Sequence, residues 1–280
     1  MTPAKTAVAP RKPGWLRRTF LHGISGWMTL AVYLFMFMPI VVLIVFSFND
    51  AKSTVIWKGF SLRWYGEVFD NRNIGKALHV SLIVALASAV ISTTIGTLAA
   101  VAITRRKFWG QNLLAAGLAA PLVLPEIVLG VALLVAMSFA GVTLGYPTMI
   151  MGHVLVSIPF ATLIVRAAAS SLDARTEDAA ADLGANEWQT FRMVTLPQLA
   201  PAIFTALILS ATLSFDNLVM STFTNGVGTT TLPLRIYSML KLGITPEINA
   251  LGALMVLVNI AVILIVMGRY LPLLLKTNRR

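Results

Sequence analysis

Long runs without a single Lys, Arg, Asp or Glu constrain this chain more than any other feature. They extend from Thr19 to Asn49, from Ala77 to Thr104 and from Ile248 to Gly268. A helix needs about 20 apolar residues to cross about 30 Å of hydrocarbon, and inside a bilayer only a helix or a closed barrel satisfies its own backbone. Between Lys107 and Arg166 the one such charge is Glu126, and the small polar break from Gly141 to Pro147 divides that run in two. Between Arg192 and Arg235 the one charge is Asp216, which leaves a span from about Pro201 to Phe223. The pattern predicts an all-α integral membrane protein with six transmembrane helices, at roughly 24–48, 77–103, 112–138, 148–169, 201–223 and 248–272.

With 57% hydrophobic and 12% charged residues, the composition excludes an ordinary soluble globule. A net charge of +11 would raise nucleic acid as a partner, but the basic residues flank the apolar runs, where topology-setting charge belongs. No nucleic-acid partner is expected. The absence of cysteine excludes disulfides, thiolate metal sites and cysteine nucleophiles. Arg11, Lys12, Arg17 and Arg18 resemble the basic start of a signal peptide, yet the run behind them is too long and lacks a small-residue cleavage site, so it reads as a retained span. The expected organisation is a basic tail over 1–18, a membrane domain over 19–272 and a second basic tail over 273–280.

Six spans place both termini on one side, together with the loops after the second and fourth helices. Arg105, Arg106 and Lys107 follow the second helix, Arg175 and Arg192 follow the fourth, and Lys276, Arg279 and Arg280 close the chain. By the positive-inside rule this side is cytoplasmic. Residues 49–76 dissent, with Lys52, Lys58, Arg63, Arg72 and Lys76, although Asp50, Glu67 and Asp70 accompany them. Within that loop Phe60 to Phe69 predicts a short helix capped by Ser61, whose Trp64, Tyr65 and Phe69 suit either an aromatic belt at the membrane interface or a docking surface.

Between the fourth and fifth spans, residues 170–200 are longer and more hydrophilic than a connection requires. Ser170 or Ser171 is a candidate cap for a helix rich in Ala and acids, and Gly184 suits the left-handed position that ends one. Asn186 with Gln189 then caps a second helix carrying Trp188, Phe191 and Val194 along one face until Pro197. Such a ridge can lie on the membrane, pack on its own bundle or insert into a groove on a partner.

The run Asp178-Ala179-Ala180-Ala181-Asp182-Leu183-Gly184, followed by Val194-Thr195-Leu196-Pro197, resembles the EAA loop of permease subunits of bacterial ABC importers that work with a binding protein. That family's pattern is Glu-Ala-Ala, three residues, Gly, nine residues, Ile, one residue, Leu-Pro. The spacing holds throughout, with Asp178 at the Glu position and Val194 at the Ile position; Glu177, beside Asp178, is a candidate to share its role. Gly59 to Tyr65, Ala120 to Gly130, Leu213 to Phe223, Thr231-Leu-Pro233 and Thr245 to Ala250 are similar to the second permease of putrescine and spermidine (Pot-type) importers. The resemblance implies the type I importer (MetI-like) fold in a bacterial inner membrane and a heterodimer with a second permease. It also implies two copies of a cytoplasmic ATPase docked on the two EAA loops, and a periplasmic binding protein that delivers polyamine. ATP and Mg would bind the partner ATPase, with no cofactor on this chain, which would be a transport subunit and not an enzyme. Asp178, Ala179, Ala180, Gly184, Val194, Leu196 and Pro197 would couple it to that ATPase.

The two isolated acids bear on mechanism. A carboxylate at helix depth costs about 2.5–3.5 kcal/mol on insertion scales, so Glu126 and Asp216 should face the bundle interior or a watery path. Counted along straight helices, Glu126 past Asn112 and Asp216 past Pro201 rise to about 21 and 22 Å, a common level. Two carboxylates at one height suit a passing di- or polycation, and Pro121 and Pro125 break the helix just before Glu126, exposing carbonyls to ammonium groups. The alternative is a structural role, with the acids bonded to Asn217, Ser214 or the backbone, or with Asp216 and Asn217 serving a permease-permease seam. His22, His79 and His153 have no ligand spacing and read as packing residues. Gly226-Val-Gly-Thr-Thr lacks the Lys of a phosphate-binding loop, and no His-Glu-x-x-His or Gly-x-Ser-x-Gly occurs. Two other functions stay open: an ABC permease for another small organic solute, and an ion-coupled secondary transporter with Glu126 and Asp216 as its relay. A secondary transporter needs no ATPase dock and typically shows repeated halves.

Overall fold

The computed structural model describes residues 15–51, 56–243 and 245–277. Among them the chain is helical, in the order α1 (Trp15–Phe46), α2 (Arg63–Asp70), α3 (Arg72–Arg105), α4 (Gln111–Val123), α5 (Glu126–Phe139), α6 (Tyr146–Ser171), α7 (Arg175–Asp182), α8 (Glu187–Thr190), a π turn (Phe191–Thr195), α9 (Leu196–Phe215), α10 (Val219–Thr224), α11 (Leu232–Leu242) and α12 (Pro246–Thr277). Four helices within the described residues are long and apolar enough to cross a membrane, and the bent pair α4–α5 passes the same test together. The apolar side chains of α1 from Trp27 to Met38 are nearly all exposed, a surface that only lipid or a protein partner can cover.

The chain divides into two compact units, the described residues up to Val68 with those after Ile244, and Phe69–Gly243. In the first, α1 and α12 approach closely, and a Cβ on Gly252 would sit 3.2 Å from Leu43. The end of α1 is fastened by polar groups. Asn49, fully buried, accepts from the backbone of Lys58 (2.9 Å) and donates to the carbonyl of Ile56 (2.7 Å). Trp64 donates its indole N–H to the Asn49 carbonyl (2.7 Å), and Tyr65 shares a hydrogen bond with Ser47 (2.7 Å). Ser61 accepts from the Arg63 N–H as the sequence predicts. Trp64, however, is buried against this knot and not displayed in a belt, because its N–H has a carbonyl to satisfy; of the three aromatics, Phe69 is the exposed one.

In the second unit α3, α6 and α9 share a core of Ala100, Ala161, Val165, Ala169, Leu199 and Ala206. Small residues let the backbones close: a Cβ on Gly96 would lie 2.8 Å from that of Ala161 and 2.9 Å from the Thr162 nitrogen. Likewise α10 lies against α5 because Gly130 leaves room for the Phe223 ring, 2.5 Å from where a Cβ would stand.

Two expected spans are not single rods. The predicted helix over 112–138 is broken between α4 and α5 with a bend of 110°. Pro125 has no N–H for the Pro121 carbonyl and its ring would collide with it, while Leu124, preceding a proline, is extended at φ −79 and ψ 137. The predicted helix over 201–223 stops at Phe215 and resumes at Val219. The side chain of Asn217 takes over there, its Oδ1 accepting the Met220 N–H at 2.8 Å as a helix cap does.

Candidate functional site

Between α6 and α9 the segment 170–200 folds as two short helices. Ser170 and Ser171 do not cap the first; their hydroxyls donate back to the carbonyls of Arg166 and Ala168 within α6. Asp173 serves instead, accepting from the Arg175 N–H at 3.0 Å. The α7 helix carries Glu177, Asp178, Ala179 and Ala180, and ends in a Schellman turn: the Gly184 N–H bonds to Ala181, the Ala185 N–H to Ala180, and Gly184 is left-handed at φ +85. Asn186 and Gln189 then form a reciprocal capping box, each side chain accepting the other's backbone N–H at 2.9 Å.

Pro197 does not end this second helix. In the π turn the Leu196 N–H reaches back to the Phe191 carbonyl, and the wider turn leads through Pro197 directly into α9. The expected ridge divides as a result. Phe191 and Val194 turn partly inward and Leu196 is half-buried, whereas Leu183 (90% exposed), Trp188 (64%) and Met193 (70%) form the outward apolar surface. Trp188 and Phe191 remain in ring contact at 5.7 Å.

The acids divide in the same way. Asp178 points outward, while Glu177 turns in: Oε1 lies 3.2 Å from Nε of Arg105 and accepts the Thr195 hydroxyl at 2.8 Å. Arg106 meets Glu187 at 2.6 Å. The hydrogen bond from Arg106, then its charge, holds the Glu187 carboxyl below the usual carboxylate range and raises the Arg106 guanidinium in return. Topology alone accounts for both arginines in the sequence; the pairing with Glu177 and Glu187 is a tertiary contact that no local pattern signals.

The second cluster forms around the two helix breaks. Glu126 occupies the first turn of α5, where the helix dipole favours a carboxylate, and its Oε1 accepts from Nδ2 of Asn217. With Oδ1 capping α10 and Nδ2 on Glu126, the amide of Asn217 is fixed at both ends. The Asn217 carbonyl accepts the Ser221 hydroxyl (2.8 Å), which lies 3.1 Å from Nε2 of His153, whose Nδ1 meets Ser214 at 2.7 Å. His153 is thus a buried packing residue that ties α6 to α9 and α10. Asp216 closes α9 as its C-cap, its N–H on the Thr212 carbonyl at 3.1 Å, with its side chain exposed.

The equal depth expected for Glu126 and Asp216 assumed an unbroken third span, and the 110° bend removes that assumption. The structure brings Glu126 to Asn217, the residue after Asp216, through an amide bond and a cap. A carboxylate offers about four lone-pair sites, so one amide donor leaves Glu126 able to accept ammonium protons.

Residues 92–275 match the family described as binding-protein-dependent transport system inner membrane component. The chain is 36% identical over 240 residues to the spermidine/putrescine transport system permease protein PotC of Escherichia coli K12, covering 86% of this chain and 90% of that one. It is likewise 36% identical over 240 residues to the putrescine transport system permease protein PotI of the same organism, at 82% and 85% coverage. Among solved structures, a chain of a bacterial ABC transporter that imports alginate superposes with a TM-score of 0.68 at 15% identity, covering 91% of this chain and 96% of that one. The MetNI methionine ABC transporter gives 0.56 at 20% identity, with 71% and 92% covered. This chain belongs to the binding-protein-dependent transport system inner membrane components, the multi-pass permease subunits of ABC importers, whose ATPase is a separate subunit.

Proposed function

We propose that this permease forms half of the translocation pathway of an ATP-driven importer for a polyamine such as putrescine or spermidine. The observation that carries the reading is the Glu126 carboxylate, held by Asn217 at the break between α4 and α5. The names of the relatives PotC and PotI support the substrate class. In this reading α1, α3, the bent pair α4–α5, α6, the α8–α9 helix and α12 are the six spans. Both termini and the segment 170–200 face the cytoplasm, a second permease completes the pathway, and a periplasmic binding protein delivers the solute. An ATPase docks on each permease over Leu183, Trp188 and Met193, with Asp178, Ala179, Ala180, Gly184, Val194, Leu196 and Pro197 shaping the coupling segment. Glu126, Asp216 and Asn217 line the path.

The test is uptake of labelled putrescine and spermidine into vesicles holding the full assembly, with ATP inside and binding protein outside. Uptake that requires both supports the reading. Accumulation driven by this chain alone, or uptake of another solute in preference to either polyamine, overturns it.

Within the coupling segment, Gly184→Val is expected to leave membrane insertion intact and lower uptake. No atom lies within 4 Å of a Cβ at Gly184, so the first penalty is that of the left-handed backbone, which a β-branched residue tolerates worst. About 1–2 kcal/mol reduces the correctly turned population by roughly 5- to 30-fold. Gly184→Asn, whose side chain tolerates that region, should be milder. Co-purification of the ATPase with each variant is the measurement, and equal retention by Val and Gly would remove the turn from the docking surface.

A further inference from the structure

Arg105 closes α3, and its guanidinium reaches beyond its own helix in two directions. One amine, Nη2, donates to the carbonyl of Leu172 at the end of α6 (3.3 Å), and Nε lies 3.2 Å from Oε1 of Glu177 on α7. That same carboxylate oxygen accepts the hydroxyl of Thr195 in the π turn. The pair is largely removed from water, with side chains 16% and 21% exposed. The next residue, Arg106, holds Glu187 at the start of α8. Consecutive arginines at the end of one span therefore grip both arms of the coupling segment.

The energy of the exposed Arg106 pair is small, and energy is not its main effect. The Nη2 hydrogen bond fixes the Arg105 guanidinium against the end of α6, and its charge lies beside Glu177 on α7, so the group ties the orientation of the elements it joins. Apart from these contacts, α7 and α8 are exposed over most of their length. A displacement of the segment has two covalent routes into the membrane, through residues 172–174 into α6 and through the π turn into α9. Arg105 supplies a further, noncovalent route into α3, which has no short covalent link to the segment.

We propose that Arg105 and Arg106 form an ionic clamp that makes α3 follow the coupling segment and the end of α6 as one body, with Glu177 acting as a positioning residue through Arg105. The clamp rests on the docking reading above, and it separates two adjacent acids: Asp178 faces the partner, Glu177 faces the chain's own second span. The spans α3 and α6 are joined where Gly96 meets Ala161, so whatever moves the end of α3 acts on the helix that carries His153 and its hydrogen bonds to Ser214 and Ser221.

A charge-reversal cycle in the full assembly tests this. Arg105→Glu and Glu177→Arg are each expected to lower polyamine uptake about tenfold while the ATPase still co-purifies, and the double variant should recover most of it. Because the chain has no cysteine, Arg105→Cys with Glu177→Cys can also be joined by a short thiol cross-linker in an otherwise unaltered sequence. A clamp that stays closed through the cycle tolerates the tether and keeps transporting. The proposal is overturned if the double reversal shows no recovery or if the tether stops uptake. It is also overturned if Glu177→Arg loses the ATPase in proportion to uptake, since Glu177 would then contact the partner itself. A Trp188→Glu variant separates the two layers: if it retains the ATPase, the docking reading fails irrespective of the clamp variants, whereas its loss of the ATPase leaves the cycle to decide the clamp.

Discussion

Replacing Glu126 with Gln is expected to lower polyamine uptake by about 2- to 30-fold while leaving the amount of assembled transporter unchanged. Gln keeps the length and shape of the side chain, and its carbonyl oxygen can still accept from Asn217, so the fold at the helix break loses only the interaction with the α5 dipole, about 0.3–1 kcal/mol. What disappears is the negative charge. A hydrogen bond to a charged group is worth about 1.5–3 kcal/mol, against about 1 for a neutral one, and in a pathway of low dielectric an ammonium ion has few alternatives. Glu126→Asp should fall between, because the charge remains but the carboxylate withdraws by one methylene from Asn217. Asp216→Asn should likewise reduce uptake more than assembly. The measurement is initial uptake rate per assembled complex. A Gln variant that transports normally removes Glu126 from the path, and one that fails to assemble makes it a structural acid of the α5–α10 junction.

That experiment turns on an arrangement only partly visible in the sequence. Pro125 announces a break before Glu126, since it cannot continue the hydrogen-bond ladder, whereas α4 runs on through Pro121. The angle of the break is set by how α5 packs, with Gly130 under Phe223, and no local pattern encodes it. Asp216-Asn217 reads as a polar blemish within one apolar run. Its neighbours favour helix on both sides, and the stop depends on an Asn side chain that caps α10 while reaching across to α5.

The coupling segment was legible for the opposite reason. Its turn chemistry is local: Gly184 must be left-handed, and Asn186 and Gln189 satisfy each other's backbone within four residues. Its long-range ties were not. Nothing near Glu177 in sequence says that it faces Arg105 and Asp178 faces outward; that follows from the tertiary placement of α3. Apolar runs predict spans well because the bilayer sets their length, but they carry little about bends, pairings or which aromatic is buried. Trp64 illustrates this, since only the position of the Asn49 carbonyl explains its burial.

Gly226→Ala should have the largest structural effect of any single methyl addition in the described part of the chain. A Cβ there would stand 1.9 Å from the Leu144 carbonyl oxygen and 2.9 Å from the Gly145 nitrogen, so backbone must move rather than a flexible side chain. The two loops are stitched at that point. Thr148 accepts from Gly145 N–H (2.8 Å) and donates to the buried Thr224 carbonyl (2.8 Å), while Thr229 accepts the Gly226 N–H (2.8 Å). Separating them strains the packing and strands buried polar groups, together more than about 3 kcal/mol. Gly228→Ala is the matched control: its φ of +79 is strained for Ala, but no atom crowds the new methyl, so about 1 kcal/mol is expected. Thermal stability and yield of detergent-solubilised assembly should collapse for position 226 and barely change for 228. Because α10 carries the cap that aims Asn217 at Glu126, whatever fraction of the 226 variant still folds should also transport poorly per complex. Normal transport by that fraction would show that the loop stitch and the Glu126 junction are independent, and equal stability of the two variants would show that the loops part without cost.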